Sequence, residues 1–194
     1  VLDGTKILVA GSRRYHFFVA RLNSQGELDR SFGKDGVVTV RRFSKRLCDN
    51  ALACHISGLT VFRHRVKVAF QGPVDSYPGW ATTVVGLRQN GKIDRSFGKR
   101  GRVHVAALSR DMASPADGSL VLLAQRTITP RKLAHPGLVH IWHDGRIDER
   151  FNKSLSAKLP DADIFDSGAV AAAGNRITVA VLGKVATVRR LVSR

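Results

Sequence analysis

A short alternation of apolar and polar residues occurs four times along the chain. Aligned on one alanine, the positions one and three residues before it are apolar in every copy. The alanines are Ala10, Ala69, Ala124 and Ala180, and the apolar pairs are Ile7 and Val9, Val66 and Val68, Val121 and Leu123, and Ile177 and Val179. Apolar residues that recur with a period of two predict a β-strand with one buried face.

A second pattern follows the first three of these strands. Counted from a glycine, an aliphatic residue comes four before and another two after, while Asp comes three after and Phe six after. The glycines are Gly26, Gly91 and Gly145, the aspartates Asp29, Asp94 and Asp148, and the phenylalanines Phe32, Phe97 and Phe151. This order predicts a turn with glycine at positive φ, a second turn whose Phe folds into the core, and a new strand. The third copy has Asn152 and Leu155 in place of Gly33 and Gly36, so we expect its second turn to be distorted.

The four alanines are separated by 59, 55 and 56 residues, and a nearly fixed period of this size indicates a repeat protein. The chain has 18 glycines and no clear helical periodicity. We therefore predict an all-β fold, a β-propeller-like array of about four antiparallel blade units whose terminal units are incomplete. Residues 166–175, DSGAVAAAGN, also suit a helix, but we favour an innermost strand there.

The combined motifs resemble the delta-sixty repeat, a family predicted to build β-propeller blades. The resemblance rests on DGTKILVAG, followed by a strand that ends in RLNSQGELDRSFGKDGVVT. It is close over Asp3–Val40, good over Val66–Val105 and weaker over Ser119–Leu159. The resemblance implies a propeller scaffold and carries no activity, because the family is defined by the repeat alone.

We expect a single repeat domain over residues 1–194, with units of about 1–43, 44–107, 108–160 and 161–194. In the second unit, strands are predicted at about 50–57 and 60–71. A propeller avoids long exposed edges by pairing its chain ends. A four-bladed ring, an open arc and two arcs that meet in a dimeric ring all remain open. A free edge predicted at 185–192 favours a homo-oligomer.

The charge of the chain is strongly positive. Lys and Arg number 32 against 15 Asp and Glu, which gives a net charge of +17. The predicted polyanion-binding residues are Arg41, Arg42, Lys45, Arg46, Arg63, Arg65, Lys99, Arg100 and Arg102, and Lys67 extends the cluster around Arg63. A basic face attracts nucleic acid, acidic polysaccharide or an acidic protein without specifying which. A charge that serves only solubility, or that is common to the source's proteins, remains the other explanation.

Motifs of nucleophilic, metal-dependent or phosphate-binding enzymes do not occur in the sequence, and no cofactor is predicted. A non-enzymatic binding or scaffold module is therefore the favoured function. The alternative is a sugar-binding or hydrolytic propeller with its site in the channel or top loops. In that case Tyr77, Trp80 and Trp142 would stack on a sugar ring.

The recurring turn aspartates are expected to accept backbone N–H bonds rather than to bind metal, because such capping explains one carboxylate in every turn. His140 and His143 would share a face only on a helix, so no metal site is predicted. Cys54 suits a core position, while a disulfide to Cys48 is the alternative. Location stays open, with export or the cell surface as one option. No stretch is apolar for about 18 residues, so no membrane span and no membrane partner are predicted.

Overall fold

The computed structural model describes residues 1–13, 16–42, 54–74, 77–129, 132–151, 168–174, 176–181 and 184–189. These residues form four antiparallel sheets in a propeller-like arrangement, with one helical turn at 149–151. The all-β prediction is confirmed. Gly168–Ala173 is a strand, so the helical alternative for that segment is wrong.

The strands follow the sheets in chain order. The first sheet contains β1 (Leu2–Asp3), β2 (Lys6–Arg13), β3 (His16–Leu22) and β4 (Val37–Arg42). The second contains β5 (Ile56–Phe62), β6 (Arg65–Val74), β7 (Tyr77–Leu87) and β8 (Arg102–Val105). The third contains β9 (Ala107–Ala113), β10 (Leu120–Thr129) and β11 (Lys132–Ile141), and the fourth β12 (Gly168–Ala173), β13 (Arg176–Val181) and β14 (Lys184–Arg189). Each sheet with the turns that join its strands is called a unit below.

Two strand boundaries differ from the prediction. The segments expected at 50–57 and 60–71 are instead β5 and β6, which meet in a turn at Arg63 and His64. Both turn residues have positive φ, at 45° and 61°, a conformation usually given to glycine. The first residues of the strand expected at 50–57 lie outside the described residues.

The core lies between successive units, in three clusters. The first and second units share a cluster of Leu8, Phe17, Val19, Phe32, Val40, Val66, Val68, Phe70, Val85 and Leu87, in which the Phe17 and Phe70 rings stack with centroids 5.0 Å apart. The second cluster joins the second and third units around Phe97, Met112, Leu120 and Leu122. The third joins Leu123 and Leu138 to Val170, Ile177 and Val179 of the fourth unit. Each inner sheet is thus covered on both faces.

The repeated turn has the predicted geometry in all three copies. Gly26, Gly91 and Gly145 have φ of 83°, 80° and 92°, so the prediction of matching positive-φ turns is confirmed. Each turn closes with an antiparallel bridge, such as Leu22 to Leu28 in the first unit. The expected burial is confirmed for Phe32 and Phe97, which are fully buried. For Phe151 it is corrected, because that ring is only half-buried, and residues 149–151 form a helical turn.

The turn aspartates cap the turn that follows them. Asp29 Oδ1 accepts the Ser31 N–H at 3.1 Å, and Asp148 Oδ1 accepts the Phe151 N–H at 3.1 Å. The predicted capping is confirmed. Cys54 is disulfide-bonded and also packs against the first core cluster, so both proposed roles apply to it. The only other cysteine in the sequence, Cys48, lies outside the described residues. In the part of the chain described, no helix is long and apolar enough to cross a membrane.

Candidate polyanion-binding surface

Seven exposed basic side chains lie at one end of the second unit. They come from the turn between β5 and β6 and from the longer connection between β7 and β8, which share that end because the strands are antiparallel. We call this set the second-unit basic surface, and it consists of Arg63, Arg65, Arg88, Lys92, Arg95, Lys99 and Arg100. The one acidic residue in the same turns is Asp94, which is buried. Positive charge is therefore presented to solvent without a neighbouring exposed carboxylate in these turns.

Backbone hydrogen bonds fix the connection that carries these residues. Arg88 N–H donates to the Lys92 carbonyl at 2.8 Å, and Asp94 N–H donates to the Gly86 carbonyl at 2.8 Å. Lys99 N–H donates to the Arg102 carbonyl, also at 2.8 Å. The basic side chains thus project from an ordered double turn, which lowers the entropy lost when they bind a ligand.

Asp94 organises the interior of this turn. Its Oδ1 accepts the Ser96 hydroxyl at 2.6 Å, and its Oδ2 accepts Arg65 Nη1 at 2.6 Å. Burial alone would raise the pKa of Asp94. The Ser96 hydrogen bonds and the charges of Arg65 and Lys67 outweigh that effect and lower the pKa below its ordinary value. Asp94 therefore stays ionised. It pairs with Arg65 and, at 3.7 Å, with Arg88 Nε, both at the edge of the surface, and it also acts on the buried Lys67.

Lys67 does not belong to the surface, which corrects the basic cluster expected around Arg63. Its side chain is only 6 % exposed, and its Nζ lies 3.6 Å from the centroid of the Phe97 ring. Gly86 provides the room, since a Cβ there would be 3.1 Å from Lys67 Nζ. Burial lowers the pKa of Lys67 to about 8, although Asp94 acts in the opposite direction.

The first unit stacks a cation on its turn Phe by another route. Arg21 occupies the position of Gly86 and places its guanidinium carbon 4.8 Å from the centroid of Phe32. Arg21 Nε also donates to Asp29 Oδ2 at 2.9 Å. A cation between the turn Asp and the turn Phe is thus a shared internal feature of the first two units, supplied by different strands.

The remaining predicted basic residues divide between the two ends of the sheets. Arg102 begins β8 opposite Val85 and is half-buried beside the second-unit basic surface. Arg41 and Arg42 end β4, at the opposite end of their own sheet, because Arg42 pairs with the first residue of β3. Lys45 and Arg46 lie outside the described residues.

Three members of the surface were missed in the sequence analysis. Arg88, Lys92 and Arg95 all lie in the second copy of the turn motif. They do not form a run, so a search for clustered charge passes over them. A comparison of the copies position by position would have found them, because the first copy has Asn23 and Glu27 where the second has Arg88 and Lys92.

The three candidate stacking aromatics are not brought together. Trp142 follows β11 at the turn end of the third unit, where its ring meets the His140 ring edge-on with centroids 4.5 Å apart. Tyr77 and Trp80 belong to the first residues of β7, at the other end of the second unit. Nor do the described residues contain a group of three or more His, Cys, Asp or Glu side chains that could hold a metal ion.

Comparison with known proteins agrees with the repeat. A family described as "Domain of unknown function (DUF5122) beta-propeller" matches residues 6–32. This match spans β2, β3 and the first copy of the turn, and ends at Phe32. It supports a propeller-like repeat in the first unit. No curated protein and no solved structure matches the chain significantly.

Proposed function

We propose that the protein is a non-enzymatic propeller scaffold of the delta-sixty type that binds a polyanion through the second-unit basic surface. The observation that carries the proposal is the concentration of seven exposed basic side chains at one end of a single unit. Their only acidic neighbour in those turns, Asp94, is buried and paired with Arg65. Arg and Lys on an ordered turn suit phosphate or sulfate groups, because both cations donate charge-assisted hydrogen bonds.

Binding of this type is dominated by counterion release, so its affinity falls steeply with salt. We expect the full chain to bind heparin and double-stranded DNA with little dependence on sequence. Heparin represents a sulfated polysaccharide and DNA represents a nucleic acid. The probe that resembles the natural ligand should bind more tightly when both are measured at the same salt concentration.

The test is a set of four charge reversals: Lys92→Glu, Arg95→Glu, Lys99→Glu and Arg100→Asp. The first unit already carries Glu27 and Asp35 at the positions of Lys92 and Arg100, so the turn tolerates acidic residues there. We expect weaker binding and a salt slope smaller by about 4, since each lost phosphate contact reduces the slope by roughly 1.

The matched control reverses four exposed basic residues of the first and third units to Glu: Arg13, Lys34, Arg146 and Arg150. It changes the net charge by the same amount. We expect the control to keep most of the affinity and the slope of the wild type. Equal losses in both variants, or no binding to either probe at low salt, would contradict the proposal.

A further inference from the structure

A histidine lies inside the second-unit basic surface. His64 stands between Arg63 and Arg65 in the turn that joins β5 to β6, and its side chain is 58 % exposed. One ring nitrogen is nevertheless engaged, because His64 Nδ1 lies 2.7 Å from Asp3 Oδ1. Asp3 ends β1 of the first unit, and its carboxylate is buried. The ring is thus held to the first unit by one nitrogen, while more than half of it is open to solvent.

The hydrogen bond to Asp3 determines which nitrogen of His64 carries the proton in the neutral ring. An ionised carboxylate only accepts hydrogen bonds, so Nδ1 carries a proton and donates it to Asp3. Nε2 is then an acceptor in the neutral ring and a donor in the protonated ring. An acceptor repels a phosphate or sulfate oxygen, whereas a charged N–H donor attracts it. The contribution of this ring to anion binding therefore depends on a single proton.

The turn that carries His64 differs in sequence from its equivalents. The residue after β1 and the residue after β12 are both glycines, Gly4 and Gly174, with φ of 64° and 57°. The second unit has Arg63 and then His64 after β5, with φ of 45° and 61°. Glycine adopts this conformation without strain, whereas other residues rarely do. The second unit thus presents an arginine and a histidine where turn geometry alone favours glycine.

Charges of both signs face the ring of His64. Asp3 approaches it from β1, and Arg21 of β3 lies 4.0 Å from the other oxygen of Asp3 and shares its negative charge. Arg63 and Arg65 flank the ring in its own turn. Asp3 favours a positive charge on the ring, and the arginines oppose it. A polyanion that neutralises the arginines removes this opposition, so anion binding and protonation of His64 favour each other.

We propose that His64, positioned by Asp3, is a proton-dependent anion ligand of the second-unit basic surface, so that polyanion binding tightens as the pH falls below neutrality. This inference rests on the polyanion-binding function proposed above and adds its regulation. Histidine suits the role because its charge ordinarily changes between about pH 5 and 8. Binding of the polyanion should therefore take up a proton and form one additional anionic contact at the lower pH.

The test is the heparin affinity of the full chain as a function of salt, at about pH 5.5 and about pH 7.5. His64 should tighten the binding of the wild type by roughly 2- to 5-fold at the lower pH, the contribution of one exposed ion pair, and should raise the salt slope by about 1. His64→Gln should lose this gain and bind less tightly than the wild type at the lower pH. His64→Lys has a fixed charge, so it should bind more tightly than the wild type at the higher pH.

Two further variants separate the ligand from its surroundings. His16→Gln removes an exposed histidine beside Arg42, at the other end of the first sheet, and should keep the pH response of the wild type. Asp3→Asn keeps a hydrogen-bond acceptor for His64 but removes the negative charge that favours the protonated ring. Its gain in affinity should therefore begin at a more acidic pH than in the wild type.

A wild type whose affinity does not rise at the lower pH would overturn this inference and leave the polyanion-binding proposal standing. The same holds if His64→Gln keeps the whole rise. Equal loss of affinity in His64→Gln and His64→Lys at both pH values would also overturn it, because the ring would then have only a structural role. No binding to heparin at either pH would overturn both proposals. Circular dichroism checks that each variant is folded.

Discussion

The first and second units have the same double turn but differ in its charge. Residues 23–37 contain two basic and three acidic residues, whereas residues 88–102 contain six basic and one acidic. The backbone hydrogen bonds are nearly identical, such as Asn23 N–H to the Glu27 carbonyl and Arg88 N–H to the Lys92 carbonyl, both 2.8 Å. The turn scaffold depends on its Gly, Asp and Phe, and the positions between them are free to carry binding chemistry.

The buried aspartates of these two turns are stabilised in the same way, but by different residues. In the first unit a hydrogen bond from Lys6, reinforced by Ser31 and Arg21, holds the pKa of Asp29 well below its ordinary range. In the second unit Arg65 and the buried Lys67 take the places of Lys6 and Arg21 around Asp94. Internal neutralisation is thus retained in both units, while only the second has a uniformly basic exterior.

The largest expected effect is the loss of a turn Phe. Phe32→Ala and Phe97→Ala should each cost about 3–5 kcal/mol in the free energy of unfolding, as for other fully buried aromatic side chains. Phe151→Ala should cost less, because its ring is half-buried. Urea unfolding of the three variants measures the difference, and equal losses would mean that the third turn is as well packed as the other two.

A pair of glycine substitutions separates turn strain from contact between units. Gly26→Ala should cost about 1–2 kcal/mol, since only the positive φ opposes a side chain there. Gly91→Ala should cost about 1–3 kcal/mol more, because its Cβ would also press on Gly33 N and on Val38 Cγ2, each at 2.7 Å. Denaturant midpoints at low protein concentration give the comparison, and two equal losses would argue against the tight contact of the first two units.

Lys67 should make stability depend on pH in an alkaline window. Its pKa falls from 10.5 to about 8 on burial, so the unfolded chain binds more protons than the folded chain between these values. Stability should therefore rise as pH increases from 8 to 10.5, by up to about 3 kcal/mol from this group. Lys67→Met should remove that gain.

Lys34→Met, at an exposed lysine, serves as the control for Lys67 and should follow the wild type. The measurement is urea unfolding of the three proteins at pH 7 and at pH 10.5. If the free energies of unfolding of Lys67→Met and the wild type change in parallel with pH, burial does not lower the pKa of Lys67.

The sequence predicts the parts of this fold whose residues recur in more than one copy of the repeat. Gly26, Gly91 and the Asp and Phe after them recur at fixed spacing because turn geometry and core packing admit few residues there. The turn at Arg63 and His64 lacks this signal, since residues other than glycine adopt the positive φ there. The burial of Lys67 is not predictable from the sequence for another reason. Alternation with Val66 and Val68 suggests a solvated face, but a sheet between two units has none.

The candidate surface is less predictable than the fold. A binding surface made from one unit depends on how that copy differs from the others, and repeat patterns emphasise what the copies share. Arg95 has an Arg30 counterpart, whereas Lys92 and Arg100 replace Glu27 and Asp35. These two differences carry most of the contrast in charge between the turns, and Arg88 and Arg102, in place of Asn23 and Val37, supply the rest. Periodicity alone does not reveal them.

The most direct test of the account exchanges the charges of the two turns within one chain. Lys92→Glu and Arg100→Asp, combined with Glu27→Lys and Asp35→Arg, leave the net charge at +17. The measurement is heparin affinity as a function of salt for this exchange variant and for the wild type. We expect weaker binding and a salt slope reduced by about 2, since two anionic contacts are lost from the second unit. Binding equal to that of the wild type would mean that net charge alone drives the interaction, and would contradict a site on the second unit.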